Sequence, residues 1–299
     1  DLLTENSSLK NNILSGNIKF IYHPDDSWKI SSVTSRGFHA PNVDDMFKVH
    51  LKSIDNNYRL TVPYKGLRPE YSVSQEISIT KLFGNQVTVY GTGFFTQINN
   101  AIVLDTLFRD AGVEGIEYFV SGLEYDGDYA TTFANQNSDT KVNLCGLTLG
   151  FNANIAGFKI AHDINMTKYL NNDANRGPFA HIPPLFGKIE ILKNINNFSF
   201  RFLCLFSGAK KPNEFDDADI DNQSETPIIG EGESEAGAYR IYAGLPGWSI
   251  LNFSAQYKIK NNLKLLFGID NILDLHYKTF GSGMSAPGRS FITSLHYDF

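Results

Sequence analysis

Hydrophobic and polar residues alternate with a period of two along the last eleven residues of the chain, 289–299. The large apolar side chains that share one face of this segment are Phe291, Leu295, Tyr297 and Phe299. The polar side chains Ser290, Ser294, His296 and Asp298 occupy the opposite face. A strict period of two predicts a β-strand with one apolar and one polar face.

The same alternation predicts ten more strands, which form five pairs. The predicted pairs are 16–23 with 28–38, 71–82 with 86–98, 141–155 with 158–169, 186–193 with 198–207, and 248–259 with 263–272. Short turns such as Ala156-Gly157 join the two strands of each pair, and long segments, which we expect to be irregular, separate the pairs. Tight turns between alternating runs predict antiparallel hairpins.

Composition fits strands that cross an outer membrane. The 299 residues are 42% hydrophobic and 13% aromatic, with a formal net charge of -6. A transmembrane helix needs a run of about eighteen apolar residues, and the sequence contains none. We predict an all-β fold, a transmembrane antiparallel β-barrel with short periplasmic turns and long extracellular loops. The terminal strand 289–299 then runs from outside inward.

The strand count predicts that the chain is a part of a larger barrel. Eleven strands is an odd number, whereas bacterial single-chain barrels have even numbers of strands. We therefore expect residues 1–299 to form about the last 11 strands of a barrel of about 22, which is wide enough to need a plug. The opening Asp1-Leu-Leu-Thr-Glu5 resembles neither a start nor a signal peptide. On this expectation, a plug domain and the first barrel half lie outside the chain.

Charge and motifs argue against several classes of function. The acidic balance, without a basic stripe, argues against nucleic acid as a partner. We find no nucleophile elbow, zincin helix or phosphate loop, and Gly91-Thr-Gly93 lacks the third glycine of a dinucleotide site. We therefore predict that the chain is not an enzyme. Cys145 and Cys204 have no metal-ligand spacing, and we interpret them as buried or lipid-facing small hydrophobic residues.

Four segments, taken in order, resemble motifs of the TonB-dependent outer-membrane receptors. Arg36-Gly-Phe-His-Ala-Pro-Asn42 resembles the FRAP box, with His39 where the motif usually has Arg, and Gly66-Leu-Arg-Pro-Glu70 resembles the NPNL box. The segment 268–274 is similar to the penultimate strand of the family, and 282–289 to the loop before the last strand. The resemblance implies a Gram-negative outer-membrane barrel, closed by a plug, that imports scarce ligands with energy from TonB.

The resemblance also implies candidate ligands and binding residues. The family carries iron-siderophores, haem, cobalamin or glycans, and haem receptors use a His between the two boxes as an iron ligand. His50 and, second, His39 are therefore candidate haem-iron ligands. Tyr64, Lys65 and Arg68 are candidate contacts for haem propionates or siderophore charges. All five are also compatible with ordinary loop positions. Haem or a ferric siderophore would be the transported ligand, and no intrinsic cofactor is expected.

The segment 216–222 is conspicuously acidic. Asp217, Asp219 and Asp221 stand at alternate positions, as in part of a calcium loop, but the Gly and terminal Glu of an EF-hand are missing. A solvated, mobile extracellular loop, continuing into the glutamates at 231, 233 and 235, is the interpretation that we favour.

Three hypotheses for function follow. The first is a receptor that imports an iron compound, either haem or a ferric siderophore. The second is a stand-alone barrel that serves as a structural or interaction platform in a surface complex. The third is a TonB-dependent receptor for cobalamin or a glycan. The expected partners are outer-membrane lipid, TonB, the missing plug and first barrel half, and, as an optional partner, a surface lipoprotein.

Overall fold

A computed structural model describes residues 14–54, 57–64, 66–106, 124–125, 128–129, 131–170, 178–216, 219–234 and 237–299. Within these ranges the helical elements are a short helix, α1 (Val43–Phe47), and two 3-10 turns, Pro212–Glu214 and Gln223–Glu225. No helix in the described part of the chain is long and apolar enough to span a membrane.

Strands make up most of the described structure. In chain order they are β1 (Gly16–Tyr22), β2 (Trp28–His39), β3 (His50–Ile54), β4 (Asn57–Thr61), β5 (Glu70–Phe83), β6 (Val87–Asn99), β7 (Ile102–Thr106), β8 (Glu124–Tyr125), β9 (Asp128–Tyr129), β10 (Thr131–Asn137), β11 (Val142–Ile155), β12 (Phe158–Tyr169), β13 (Phe186–Ile195), β14 (Phe198–Ser207), β15 (Ile228–Ser234), β16 (Gly237–Tyr242), β17 (Trp248–Lys260), β18 (Leu263–Asp270) and β19 (Ser290–Tyr297).

Eleven of these strands form one large sheet whose order follows the chain. The order is β1-β2-β5-β6-β11-β12-β13-β14-β17-β18-β19. These are the eleven strands that the alternating pattern predicts, each within a few residues of its predicted limits. The predicted antiparallel sheet is therefore confirmed. The two-residue turn between β11 and β12 has positive φ at both Ala156 and Gly157, which suits the twist of a tight hairpin.

The chain divides into two compact units. The first combines the residues up to 18 with 33–75 and 96–143, and the second combines 19–32, 76–95 and 144–299. Each unit contributes to the large sheet and also carries structure in the long connections.

In the second unit the register gives the sheet one apolar and one polar face. Residues directly opposite each other in an antiparallel pair share a face. Phe202 lies opposite Ile191 and Phe253, whereas the adjacent Leu203 lies opposite Glu190 and Asn252. The apolar face carries large side chains that are more than a third exposed, among them Leu149, Ile189, Phe202, Leu251, Phe267 and Leu295. Exposed apolar surface of this extent marks an interaction surface, as the prediction of a lipid-facing side requires.

The polar face of the same strands carries charges and hydrogen bonds. Lys188 Nζ lies 3.5 Å from Asp163 Oδ2, and Arg201 Nε pairs with Glu190 Oε1. Thr148 Oγ1 donates to Asn165 Oδ1 at 2.8 Å. Paired charges on this face fit a barrel strand, because one Lys or Arg at the bilayer midplane of the opposite face would cost about 2–4 kcal/mol.

Both cysteines are free and half-exposed. Cys204 lies opposite Ile189 and Leu251 on the apolar face, and Cys145 lies opposite Lys168 near the end of β12. Cys204 therefore has the predicted environment of a small hydrophobic residue facing lipid.

Close packing between β12 and β13 depends on Gly187. A Cβ atom at this position would lie 2.3 Å from the Asp163 carbonyl oxygen and 2.6 Å from Phe206 Cζ. That oxygen cannot retreat without disturbing the ladder. We therefore expect Gly187→Ala to lower the free energy of unfolding by about 1–3 kcal/mol, measured by urea unfolding from lipid vesicles. Gly268→Ala, whose new Cβ meets nothing closer than 3.6 Å, is the matched control. Equal losses in both variants would show that close approach is not the cause.

The long connections of the first unit contain a second sheet, contrary to the expectation of irregular segments. Its order is β3-β4-β10-β7, and β10 runs parallel to β4. Leu60, Val62 and Ala134 form a small core, and Tyr64 packs against it. In the second unit, β15 and β16 form a hairpin within another long connection. Short amphipathic strands of this kind are easily overlooked beside the long strands of the large sheet, because they offer few periods of alternation.

Candidate ligand-binding site

The segment that contains His39 ends in a capped helix. Asn42 Oδ1 accepts the Asp45 N–H at 2.9 Å, and Asp45 Oδ2 accepts the Asn42 N–H at 2.8 Å, which closes a capping box at the start of α1. His39 Nε2 lies 3.0 Å from the same Asp45 Oδ2. The Nε2 atom of His39 therefore already has a partner, Asp45, within the protein.

Tyr64 and Arg68 are fixed by different neighbours in the first unit. The Tyr64 N–H donates to the Met46 carbonyl oxygen at 3.0 Å, and the Tyr64 ring packs on the small core. Arg68 is exposed, while its backbone N–H and carbonyl oxygen both bond the Asn137 side-chain amide, at 2.6 and 2.8 Å. Lys65 lies outside the described residues.

His50 is the first residue of β3, at the edge of the four-stranded sheet. It lies opposite Thr61, and its side chain is exposed. The structure thus connects His39 and Tyr64 to the same short helix, through Asp45 and Met46, and leaves His50 on a strand edge. The roles of His39, His50, Tyr64, Lys65 and Arg68 in binding stay predictions.

A buried lysine joins three long connections of the second unit. Lys210 Nζ lies 2.9 Å from Asp221 Oδ2 and donates to the Ile182 carbonyl oxygen at 2.7 Å. It also lies 4.2 Å from the centroid of the Phe280 ring and 4.9 Å from that of Phe215. The side chains of Lys210 and Asp221 are only 3% and 1% exposed. We call these five residues the Lys210 clasp.

The acidic segment before Asn222 is buried rather than solvated, so the favoured interpretation of a solvated loop is wrong for its described residues. Asp216, Asp219 and Asp221 all lie inside the protein. Asp216 accepts the N–H groups of Ile220 and Asp221 at 2.9 and 3.0 Å, and Asp219 accepts from Ser224. The carboxylates satisfy turn amides, which offset part of the cost of burying their charge.

The described part of the chain contains no group of three or more His, Cys, Asp or Glu arranged to hold a metal ion. Asp219 and Asp221 face protein donors, and Asp217 lies outside the described residues. The calcium site therefore stays a prediction that the described carboxylates do not support. Glu231 and Glu233 are exposed on β15, and Glu235 lies outside the described residues.

Asp216 gives this segment a testable pH dependence. Burial raises the pKa of the Asp216 carboxyl above its ordinary value, although the amides of Ile220 and Asp221 oppose the shift. Between about pH 4, the unfolded value, and the raised pKa, the folded segment holds a proton that the unfolded segment has lost. Its stability is therefore highest below about pH 4 and falls as the pH rises through the raised pKa.

We expect this fall to disappear in Asp216→Asn, because an amide does not titrate. Hydrogen exchange at the amides of Ile220 and Asp221, corrected for intrinsic rates, measures the effect in both proteins. An identical pH dependence in the wild type and the variant would assign the effect to another group.

A histidine that sequence reasoning missed is attached to the Lys210 clasp. The His181 N–H donates to both oxygens of Asp221, at 2.9 and 3.1 Å. Its ring Nδ1 lies 3.2 Å from Asp221 Oδ1, and its side chain is 77% exposed. Neither His181 nor Lys210 belongs to a motif, and their shared partner is distant in sequence, so no local pattern indicated them.

The two C-terminal segments that resemble the receptor family hold each other in place. Asn271 Nδ2 donates to the carbonyl oxygens of Leu275 and Pro287, at 2.8 and 3.3 Å. The Arg289 N–H donates to Asp274 Oδ1 at 2.7 Å, and Arg289 Nε donates to a carbonyl oxygen at 2.9 Å. These bonds fix the loop that precedes β19 and so set the start of the last strand.

Comparison with known proteins places the chain in a family. The family model described as TonB dependent receptor-like, beta-barrel, matches residues 2–272. The chain therefore belongs to the TonB-dependent receptor β-barrel family, whose members lie in the outer membrane of Gram-negative bacteria. No curated protein sequence matches it.

Solved receptor structures share its fold. The siderophore receptor PirA from Acinetobacter baumannii is 14% identical, with a TM-score of 0.67 over 95% of this chain and 41% of that one. A mutant of the ferric enterobactin receptor from Pseudomonas aeruginosa is 17% identical, with a TM-score of 0.65 over 95% and 40%. The copper transporter OprC is 15% identical, with a TM-score of 0.65 over 95% and 39%. The chain thus spans about two fifths of their length, and at these identities the likeness shows the fold alone.

Proposed function

We propose that this chain is part of a receptor that binds an iron compound, either haem or a ferric siderophore, at the cell surface. The receptor imports this compound across the outer membrane with energy delivered through TonB. The observation that carries the proposal is the family match over residues 2–272. The proposal includes an N-terminal plug and a first barrel half outside residues 1–299.

The long connections support a binding role. In the second unit they are held by the buried Lys210 clasp, and in the first by a separate sheet with its own core. Ordered loops lose less conformational entropy on binding than flexible ones, so they favour tight capture of a scarce ligand. Within this proposal, His50 and Arg68 present exposed side chains, whereas His39 and Tyr64 act through the helix that they contact.

Uptake by cells tests the proposal. Cells that carry the receptor, and cells from which it is deleted, are starved of iron and supplied with haemin, ferric enterobactin or cobalamin. We expect the deletion to abolish uptake of one iron compound, and a strain without TonB to show the same loss. Unchanged uptake of both iron compounds would contradict the proposal. Loss of cobalamin uptake alone would favour the receptor for another ligand.

A further inference from the structure

A lysine interrupts the apolar row of β13 close to the end of the strand. The residues at alternate positions of this row are Ile189, Ile191, Lys193 and Ile195. Phe158 and Phe200 lie directly opposite Lys193 in the two neighbouring strands, so the lysine belongs to the apolar face of the sheet. The cost of a lysine on a lipid-facing side falls steeply toward the membrane interface. Lys193 therefore marks the edge of the apolar face at the end with the short turns.

Two contacts hold the ammonium group of Lys193 at this edge. Its Nζ donates to the carbonyl oxygen of Ala156, in the turn between β11 and β12, at 2.6 Å. It also lies 4.1 Å from the centroid of the Phe158 ring, which is a cation–π contact. An ammonium group has three N–H donors, and the bond to Ala156 uses one of them. The others are available to an oxygen atom from outside the chain.

The described surroundings of Lys193 do not balance its positive charge. Ala156 supplies an oxygen without formal charge, and Phe158 supplies an aromatic ring. The sequence has no Asp or Glu at 153–160 or 193–200, the segments around the two short turns that lie next to Lys193. Gly157 leaves space beside the ammonium group, since a Cβ atom there would lie 3.1 Å from Nζ. Lys193 is therefore suited to bind an anion that the chain does not supply.

A second lysine near a short turn has the same contacts but an internal carboxylate. Lys81 Nζ, near the end of β5, lies 4.5 Å from the centroid of the Trp28 ring and donates to Ser27 Oγ. At this hairpin Asp25 attracts the ammonium group electrostatically. The chain thus provides a negative charge for Lys81, whereas the described contacts of Lys193 include none.

The position of Lys193 along the strand identifies the anion. In outer-membrane barrels the short turns face the periplasm, so Lys193 lies at the level of the phospholipid headgroups of the periplasmic leaflet. Phe158, Ile195 and Phe198 are 41%, 50% and 44% exposed on the same face and suit contact with acyl chains. We infer that Lys193 binds the phosphate group of an anionic phospholipid of the periplasmic leaflet. This inference does not depend on which compound the receptor imports.

Native mass spectrometry of the intact, detergent-solubilised receptor, titrated with phosphatidylglycerol, tests the inference. We expect Lys193→Gln to carry fewer bound lipids than the wild type, because the affinity of this site falls about fivefold to tenfold when one lysine near an anionic headgroup is lost. Lys193→Arg should bind like the wild type, since a guanidinium group keeps the charge and the donors.

Lys159→Gln is the matched control. It removes the same charge at the same end of the sheet, but Lys159 lies opposite Leu192 on the polar face. We therefore expect the lipid binding of this variant to equal that of the wild type. Equal weakening in Lys159→Gln and Lys193→Gln would assign the effect to overall charge and overturn the inference.

The other outcomes also decide the matter. Equal binding of phosphatidylglycerol by the wild type and Lys193→Gln overturns the inference. Equally tight binding of phosphatidylcholine, whose headgroup has no net charge, by the wild type overturns the preference for an anionic lipid. A preference for lipopolysaccharide that Lys193→Gln weakens would assign the residue to the outer leaflet and overturn the inference as well. Failure of the uptake experiment would leave lipid binding unchanged, so this inference and the proposed function fail separately.

Discussion

Replacing Lys210 with Met is expected to unfold the long connections of the second unit while the large sheet remains folded. Lys210 and Asp221 are almost completely buried, and their charges neutralise each other. Without the ammonium group, Asp221 keeps a buried charge whose remaining contacts among the described residues are those with His181, and breaking a buried pair in this way costs about 3–5 kcal/mol. The variant also loses the bond to the Ile182 carbonyl and the contact with the Phe280 ring.

Hydrogen exchange locates and measures this loss. A local destabilisation of about 3 kcal/mol corresponds to exchange faster by about two orders of magnitude, expected for amides in 178–185, 208–216 and 219–222. The amides of β12 to β14 should keep their protection, because strand ladders do not depend on the clasp.

Lys278→Met is the matched control for the Lys210 clasp. Lys278 Nζ lies 2.8 Å from Glu225 Oε2 in the same set of loops, but the two side chains are 19% and 42% exposed. An ion pair in contact with solvent contributes about 0–1 kcal/mol, so we expect little change. Equal exchange in the two variants would show that burial of the Lys210 pair is unimportant. Replacing Lys210 and Asp221 together by Met and Leu should restore loop stability without restoring the contacts of His181.

A new lysine is expected to have very different effects on stability on the two faces of the sheet. Phe202→Lys is expected to destabilise the membrane-inserted protein by about 2–4 kcal/mol, the cost of a lysine in the middle of the lipid-facing band. Phe202 is 53% exposed in the middle of β14 and lies between Ile191 and Phe253. Apolar exposure at this point is favourable only against lipid.

Leu203→Lys is the control because it moves the same charge by one residue. Leu203 lies opposite Glu190 and Asn252 on the polar face, where a lysine stays hydrated and meets a carboxylate. We expect a change of less than about 1 kcal/mol. Denaturant titration of protein folded into lipid vesicles gives both values. A larger loss for Leu203→Lys than for Phe202→Lys would reverse the assignment of the faces.

The strands were predictable because lipid and the barrel interior act on alternate residues. Each position of β14 faces one environment or the other, so apolar side chains recur at every second position from Phe198 to Phe206. The prediction 186–193 for β13 ended two residues before the observed Ile195, because Asn194 resembles a turn residue. The pairing of the strands into five hairpins was predictable from the short turns alone, because residues in tight turns adopt special backbone angles.

The binding loops were less predictable because their contacts are distant in sequence. The Lys210 clasp joins Ile182, Asp221 and Phe280, and no spacing along the chain indicates that these residues meet. Asp216 and Asp221 suggested a solvated loop because the sequence shows that they are charged. It does not show which hydrogen-bond donors surround them in the fold. Asp221 is buried because it pairs with Lys210, and the ring of His181 is oriented by its contact with Asp221. The candidates taken from the receptor motifs did not include either residue.

The parallel pairing of β4 with β10 has a consequence for the order in which the chain folds. Neighbouring strands of the large sheet are consecutive in its strand order, and five of its ten strand pairs close across short turns. β4 and β10 are separated in sequence by the five strands β5 to β9, and their pairing must close a much longer loop at a higher entropic cost. Contacts between distant segments form slowly. The small sheet of the first unit is therefore a late product of folding, completed after the β5–β6 hairpin has shortened the path between its strands.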